Sequence, residues 1–170
     1  VRLQHPAKQL PLAEEVLLAR ELIDRARPHP HRERLGGTPA GVTLALENSG
    51  KIGITPLRRA AERFGLGPAA TGLGFCIDLG HAHRSESIDG VRPEAFLAEF
   101  AAGIVELHVH DNFGDEDLHL VPGEGSIDWP PVAEAMRGLG PETVVCLELK
   151  AGGRAVEAIC AGRAFLEGLA

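Results

Sequence analysis

Four short segments of the chain place large apolar side chains at every second position, alternating with small or polar ones. Side chains of a β-strand point to opposite faces in turn, so each segment is predicted to be a strand with one bulky and one narrow face. The predicted strands span residues 42–47, 72–78, 104–110 and 143–149. Residues 1–5 form a weaker candidate, because Arg2 and Gln4 interrupt its apolar face.

Helical patterns separate these strands. Residues 11–27 carry an apolar stripe at helical spacing, with proline in the first turn. Thr55 and Pro56 provide a cap and a first helical position for a helix over 55–64. Further helices are predicted over 93–102 and 128–137, and a last one follows Gly153 and ends near Leu169.

The alternation of strands and helices predicts a parallel βα architecture. In an open, doubly wound sheet helices cover both faces, so both faces should be apolar. Here one face of each strong strand is narrow and carries an acidic or imidazole side chain near its carboxyl end. That pattern is typical of a (β/α)8 TIM barrel, whose bulky residues face the helices and whose ligands gather at the top of the lumen. The predicted fold class is therefore an α/β TIM barrel.

Four polar side chains stand at the ends of the predicted strands: Glu47, Asp78, His108 and Glu148. Each has a structural explanation of its own, since Glu47 could start a turn, Asp78 could cap the next segment and Glu148 could pair with Lys150. Together they predict a divalent-metal site, because unpaired carboxylates so close to one another would repel strongly. Imidazole with carboxylate suits Mn, Zn or Co, with Mg as a further candidate and Mn or Zn favoured.

Composition narrows the function classes. The chain has 170 residues, 44% of them hydrophobic, and a net charge of −7, which suits one globular domain. No apolar run is long enough to span a membrane, and no signal peptide is recognisable at the first residue, Val1, which is not methionine. Three cysteines without CxxC spacing fit a reducing compartment, so a cytoplasmic location is expected. Cationic side chains are interleaved with acids, which disfavours a nucleic-acid partner.

Five stretches, taken in order, carry a resemblance to a known family. They are Leu44 to Asn48, Phe75 to His81, His108 to Asn112, Asp117 to His119 followed by Gly123 to Gly125, and Cys146 to Leu149. As a set they resemble the xylose isomerase-like TIM-barrel superfamily. That superfamily joins sugar isomerases and epimerases with abasic-site nucleases of the endonuclease IV type.

The resemblance also implies where the chain lies within a barrel. A full barrel has roughly 250 residues. Residues 1–170 are therefore expected to form a single domain that corresponds to about the last five βα units, with the N-terminal strands missing and residues 1–5 as the fourth strand. Open strand edges invite pairing, so the isolated chain is expected to be unstable, or to form a homo-oligomer through those edges.

The superfamily implies roles for individual residues. One divalent metal would be bound by Glu47, Asp78, His108 and Glu148. Glu47 and Glu148 would also act as the catalytic carboxylates that move a substrate proton through an enediolate. The expected substrate is a small sugar or sugar phosphate, and the residues expected to contact it are His81, His110, Asp117 and His119.

Two alternatives stay open. The first is an endonuclease IV-like phosphoesterase, in which His5, His81, Asp117 and His119 would bind additional metals and hydrolyse abasic DNA. The acidic charge and the sugar-enzyme-like motifs at Asp78 to His81 and His110 to Asn112 disfavour it. One departure weakens the epimerase interpretation: Gly114 stands where some ketose epimerases carry an arginine. The second alternative is a non-catalytic piece of a barrel.

Overall fold

The computed structural model describes residues 44–64 and 73–169, which all belong to one compact unit. Its strands are β1 (Leu44–Glu47), β2 (Leu73–Asp78), β3 (Ile104–Val109) and β4 (Val144–Leu147). Its α-helices are α1 (Thr55–Phe64), α2 (Leu79–Asp89), α3 (Pro93–Phe100), α4 (Trp129–Arg137) and α5 (Ala155–Gly168). Single 3-10 turns lie at Ala101–Gly103 and Gly152–Arg154. The predicted strand at 1–5, with His5, and the predicted helix at 11–27 lie outside the described residues.

The four strands form one sheet in the order β1-β2-β3-β4, and every neighbouring pair is parallel. This confirms the parallel βα architecture that the sequence predicts. Parallel strands present their carboxyl ends at one edge, and the register places Asp78 directly opposite His108 on the next strand. The polar residues that end the strands therefore share one edge of the sheet.

The bulky face of the sheet packs against the helices. Phe75, Ile77, Leu107 and Val109 are completely buried, and Phe75 meets Phe100 of α3 with ring centroids 5.1 Å apart. Burying a side chain of this size stabilises the fold by about 1.5–3 kcal/mol. The core lies between sheet and helices, which leaves the narrow face for the polar side chains.

Side chains from strands that are not neighbours meet at the carboxyl edge of the sheet. Glu47 on β1 and His108 on β3 are two strands apart, and the Glu47 Oε1 atom lies 3.6 Å from His108 Nδ1. The polar side chains thus converge on the narrow face, as expected for the wall of a TIM barrel. At the edge of the sheet, Val144 and Val145 of β4 are 57% and 46% exposed.

The helices agree with the sequence pattern except at α2. The pattern over 79–89 has no large apolar stripe, because the face that α2 buries consists of Leu79, Gly80, Ala82 and Ser85. A helix with so small a buried face has little hydrophobic periodicity, so sequence reasoning missed it. Gly90 ends α2 with a left-handed φ of 70°. Among the described residues, no helix is both long and apolar enough to cross a membrane.

Candidate metal centre

Three carboxylates surround one imidazole nitrogen at the carboxyl edge of the sheet. His108 Nδ1 lies 3.6 Å from Glu47 Oε1, 3.9 Å from Asp78 Oδ2 and 3.3 Å from Glu148 Oε2. The same nitrogen is buried and has no hydrogen-bond partner. A buried nitrogen without a partner, facing three acceptors, fits a divalent cation with oxygen and nitrogen ligands. The structure therefore brings the four residues predicted as metal ligands together.

Asp78 is the most rigidly held of these ligands. It is completely buried, and its Oδ1 atom accepts a 2.7 Å hydrogen bond from the backbone N–H of His81, which caps α2. The Asn48 side chain bonds both the backbone N–H and the carbonyl of Asp78, at 2.7 and 2.9 Å. Burial acts to raise the pKa of Asp78, but the hydrogen bond from His110 and the nearby imidazoles outweigh it, so its pKa is lowered. Asp78 is thus an anionic carboxylate, held in a fixed position, whose oxygen could bind a metal ion.

Glu47 and Glu148 differ from Asp78 in their exposure. Their side chains are 41% and 48% exposed, whereas that of Asp78 is 0% exposed. They come from β1 and from the residue that follows β4, that is, from strands on either side of β3, which carries His108. Lys150, which the sequence offered as a partner of Glu148, donates instead to the carbonyl of Asp117 at 2.8 Å. Two exposed carboxylates beside a fixed one are suited to proton transfer as well as to metal binding.

A second cluster surrounds Asp117. Its Oδ2 atom lies 3.6 Å from His81 Nε2 and 3.3 Å from His119 Nε2. The Nδ1 atoms of both rings face backbone carbonyls, His81 at 3.0 Å from Asn48 O and His119 at 2.8 Å from Glu148 O. Carbonyls only accept, so each Nδ1 carries a proton and each Nε2 faces the Asp117 carboxylate. Asp117 Oδ2 and the two Nε2 atoms thus form a set of one oxygen and two nitrogen ligands that could hold a cation.

The charge state of Asp117 agrees with such a cation site. Burial acts to raise the pKa of Asp117, but the three imidazoles and Lys150 outweigh it and leave the pKa lowered. The Oδ1 atom is buried without a hydrogen-bond partner. Asp117 is therefore a carboxylate with one free oxygen inside the mouth of the site.

The backbone at His119 differs from the sequence-based expectation. An extended chain was expected to direct Asp117 and His119 to the same side, but His119 has a left-handed φ of 51°. A non-glycine residue in this conformation costs on the order of 1 kcal/mol and is commonly found at functional sites. The His119 carbonyl accepts a 3.0 Å bond from the Lys150 backbone N–H, which helps to hold the turn. The two side chains converge through a turn rather than through an extended segment.

His110, predicted to contact substrate, is completely buried. Its Nε2 atom lies 3.2 Å from Asp78 Oδ2, and its ring stacks on that of His119 with centroids 4.0 Å apart. Burial acts to lower the pKa of His110, but the bond with Asp78 outweighs it, so the pKa is raised. A Cβ atom at Gly80 would lie 2.0 Å from the His110 ring, so only glycine lets α2 pack here. Substrate contact by His110 stays a prediction; in the structure it supports Asp78.

Asp111 organises the long loop between β3 and α4, a role that the sequence reasoning missed. Its backbone forms an antiparallel bridge with Leu120, which closes the segment that carries Asp117 and His119. Its buried carboxylate accepts four hydrogen bonds, from the backbone N–H groups of Asn112, Gly123 and Ile127 and from Trp129 Nε1. Four donors at one carboxylate fix both ends of the loop. In the sequence, the only sign of this role is that the acidic Asp111 opens a loop that contains Gly123 and Gly125 and ends before Trp129.

We expect Asp111→Asn to lower the free energy of unfolding by about 3 kcal/mol, because the amide group of asparagine cannot accept at both positions and leaves buried donors unsatisfied. Trp129→Phe is the matched control: it removes one of the four donors and should cost about 1 kcal/mol. Urea unfolding of the metal-free proteins measures both. Equal stabilities of Asp111→Asn and wild type would contradict this role for Asp111.

The family can now be stated from comparison with known proteins. The sequence profile of the xylose isomerase-like TIM barrel family matches residues 16–169. The chain belongs to this family. The resemblance seen in the strand-end motifs is thereby confirmed, together with the barrel fold that the parallel sheet shows.

The sequence is similar to two proteins that are described as uncharacterized. An uncharacterized protein of Methanocaldococcus jannaschii is 32% identical over 117 residues, which cover 65% of this chain and 38% of that protein. An uncharacterized protein of Sinorhizobium fredii is 30% identical over 76 residues, 45% of this chain and 23% of its own length. The chain thus spans well under half of either relative.

Solved structures show the same fold. The crystal structure of a D-tagatose 3-epimerase-like protein superposes with a TM-score of 0.60 at 28% identity, covering 76% of this chain and 48% of that one. A protein from Thermus thermophilus, soaked with ZnCl2, superposes with a TM-score of 0.54 at 28% identity, covering 95% of this chain and 56% of that one. This chain corresponds to about half of each.

Proposed function

We propose that the chain supplies the metal-binding and catalytic carboxylates of a divalent-metal-dependent sugar or sugar-phosphate isomerase or epimerase. The observation that carries this proposal is the buried, unpartnered Nδ1 atom of His108 with the carboxylates of Glu47, Asp78 and Glu148 within 3.9 Å of it. The donor set of three oxygens and one imidazole nitrogen suits Mn or Zn. The D-tagatose 3-epimerase-like neighbour supports the same class of reaction.

A divalent ion at this position would polarise a substrate carbonyl and make the adjoining C–H more acidic. The carboxylates of this chain would then have different roles. Asp78 holds a fixed position, because its backbone and side chain are both bonded. Glu47 and Glu148, which are exposed and come from strands on either side of β3, would remove the proton and return it.

A second candidate is a phosphoesterase, and the Asp117 cluster is the observation that favours it. His81 and His119 both direct Nε2 towards Asp117 Oδ2, which would suit a further cation. Additional metals could hold phosphate oxygens and activate a water. In the isomerase, the same three side chains would instead contact substrate oxygens at the mouth of the barrel.

Exchange of a substrate proton with solvent tests the proposal. We expect a completed barrel that contains this chain, with Mn²⁺, to catalyse deuterium wash-in from D2O at the carbon beside the carbonyl of a ketose or ketose phosphate. Removal of the metal with EDTA should stop the exchange, and adding Mn²⁺ back should restore it. Cleavage of an abasic duplex without any wash-in across a ketose panel would overturn the isomerase in favour of the phosphoesterase.

A further inference from the structure

Glu106 is an acidic residue of β3 that is not among the four predicted metal ligands. It lies two residues before His108, so both side chains share the narrow face of the sheet, with Glu106 further from the carboxyl edge. Its side chain is 38% exposed. Its Oε1 atom lies 3.7 Å from His108 Nε2, an ion-pair distance.

The two nitrogens of His108 thus have different surroundings. Nδ1 faces the carboxylates of Glu47, Asp78 and Glu148, whereas Nε2 faces Glu106. A neutral imidazole carries one proton and one lone pair. A metal ion on Nδ1 uses the lone pair, so the proton must lie on Nε2, directed at Glu106.

A metal site that includes Cys76 is a competing explanation for the carboxylate of Glu106 beside His108. Its thiol, the Glu106 carboxylate and His108 could together hold an ion of their own. An ion there would need the Nε2 lone pair of His108, which a neutral ring that binds a metal through Nδ1 does not have. The carboxylate of Glu106 is therefore better explained as an acceptor than as a ligand.

We propose that Glu106 is a positioning residue that accepts the Nε2 proton of His108 and so holds the Nδ1 lone pair towards the metal. The inference rests on the metal centre proposed above. Metal-binding histidines in general donate their second N–H to a carboxylate or carbonyl, which fixes the tautomer and strengthens the ligand. The 3.7 Å separation is longer than a hydrogen bond, so the proposal requires the two groups to approach to about 3 Å when Nδ1 binds the metal.

Metal affinity is the first test. Titration of the 170-residue chain with Co²⁺ should give a dissociation constant roughly 10- to 100-fold higher for Glu106→Ala than for wild type. Glu106→Gln keeps an acceptor oxygen without the charge, so its affinity should fall between the two. Cys76→Ala changes a side chain near Glu106 and His108 but keeps the Glu106 carboxylate, so this variant should bind Co²⁺ with the affinity of wild type. Equal affinities of Glu106→Ala and wild type would overturn the proposal.

A spectroscopic readout separates this inference from the proposed function. In ¹⁵N-histidine-labelled protein, the His108 Nε2–H proton should give a downfield, slowly exchanging NMR signal. The signal should move upfield in Glu106→Gln and disappear in Glu106→Ala. A weaker signal of the same kind is expected in the metal-free protein, because Glu106 Oε1 lies 3.7 Å from His108 Nε2. If wild type binds no Co²⁺, the metal centre fails, and the metal-free spectra still decide the role of Glu106: a signal unchanged in Glu106→Ala rules it out.

Discussion

Replacing Asp78 by alanine is expected to abolish binding of the divalent ion, with a loss of affinity of at least about 100-fold. Among the four proposed ligands, Asp78 is the one whose side chain is completely buried. Water can enter beside the exposed Glu47 and Glu148 and occupy a lost ligand position. At Asp78 the substitution removes the carboxylate that faces both His108 and His110.

Asp78 also caps α2 and bonds His110, so alanine could lower stability as well as affinity. Asp78→Asn is therefore the companion variant, since asparagine keeps a cap acceptor for the His81 N–H but lacks the charge. Glu116→Gln, an exposed position in the neighbouring loop, is the control and should bind as wild type does. Metal content after dialysis and calorimetric titration with Mn²⁺ and Zn²⁺ measure all four proteins. Full occupancy in a folded Asp78→Ala protein would contradict the assigned ligand set.

The sheet and the convergence of Glu47, Asp78, His108 and Glu148 could be predicted from the sequence, because both depend on the alternation of side chains along parallel strands. A parallel strand covered by helices on one face must bury every second side chain, so Phe75 and Ile77 place Asp78 on the other parity. Strand ends share one edge in a parallel sheet, which brings Asp78 opposite His108. The alternation of side chains and the common edge of the strands together predict which residues are neighbours, and neither depends on the structure of a loop.

The features that the sequence did not predict depend on contacts between distant segments. Helix α2 packs through Gly80 and Ser85, whose small side chains produce no periodic signal. Asp111 gains its role from Gly123, Ile127 and Trp129, residues whose position is known only once the loop is folded. The left-handed turn at His119 likewise depends on tertiary bonds to the segment after β4, which override local backbone preference.

The second prediction compares a substitution at Glu148, near His108, with one at His119, near Asp117. The comparison distinguishes an isomerase from a phosphoesterase. In the isomerase, Glu148→Gln should keep part of the metal affinity, because the amide oxygen still reaches the ion. It should nevertheless lower deuterium exchange at the substrate carbon by about 100-fold or more, since an amide cannot accept the proton. Glu148 Oε2 lies 3.3 Å from His108 Nδ1, within reach of a substrate bound over the same centre.

His119→Ala should then be the milder of the two substitutions, because in the isomerase His119 contacts a substrate oxygen or shapes the mouth and transfers no proton. A rise in KM of about 10-fold with a smaller change in kcat is expected, as for the loss of a binding contact. In the phosphoesterase the result would differ in kind: loss of His119 would empty a cation site at Asp117 and end cleavage of abasic DNA. Both variants and wild type are therefore assayed for deuterium wash-in on ketoses and for cleavage of an abasic duplex. Wild-type wash-in that survives Glu148→Gln but is lost in His119→Ala would reverse the roles assigned to the two clusters, because the proton would then be moved from the Asp117 side of the barrel.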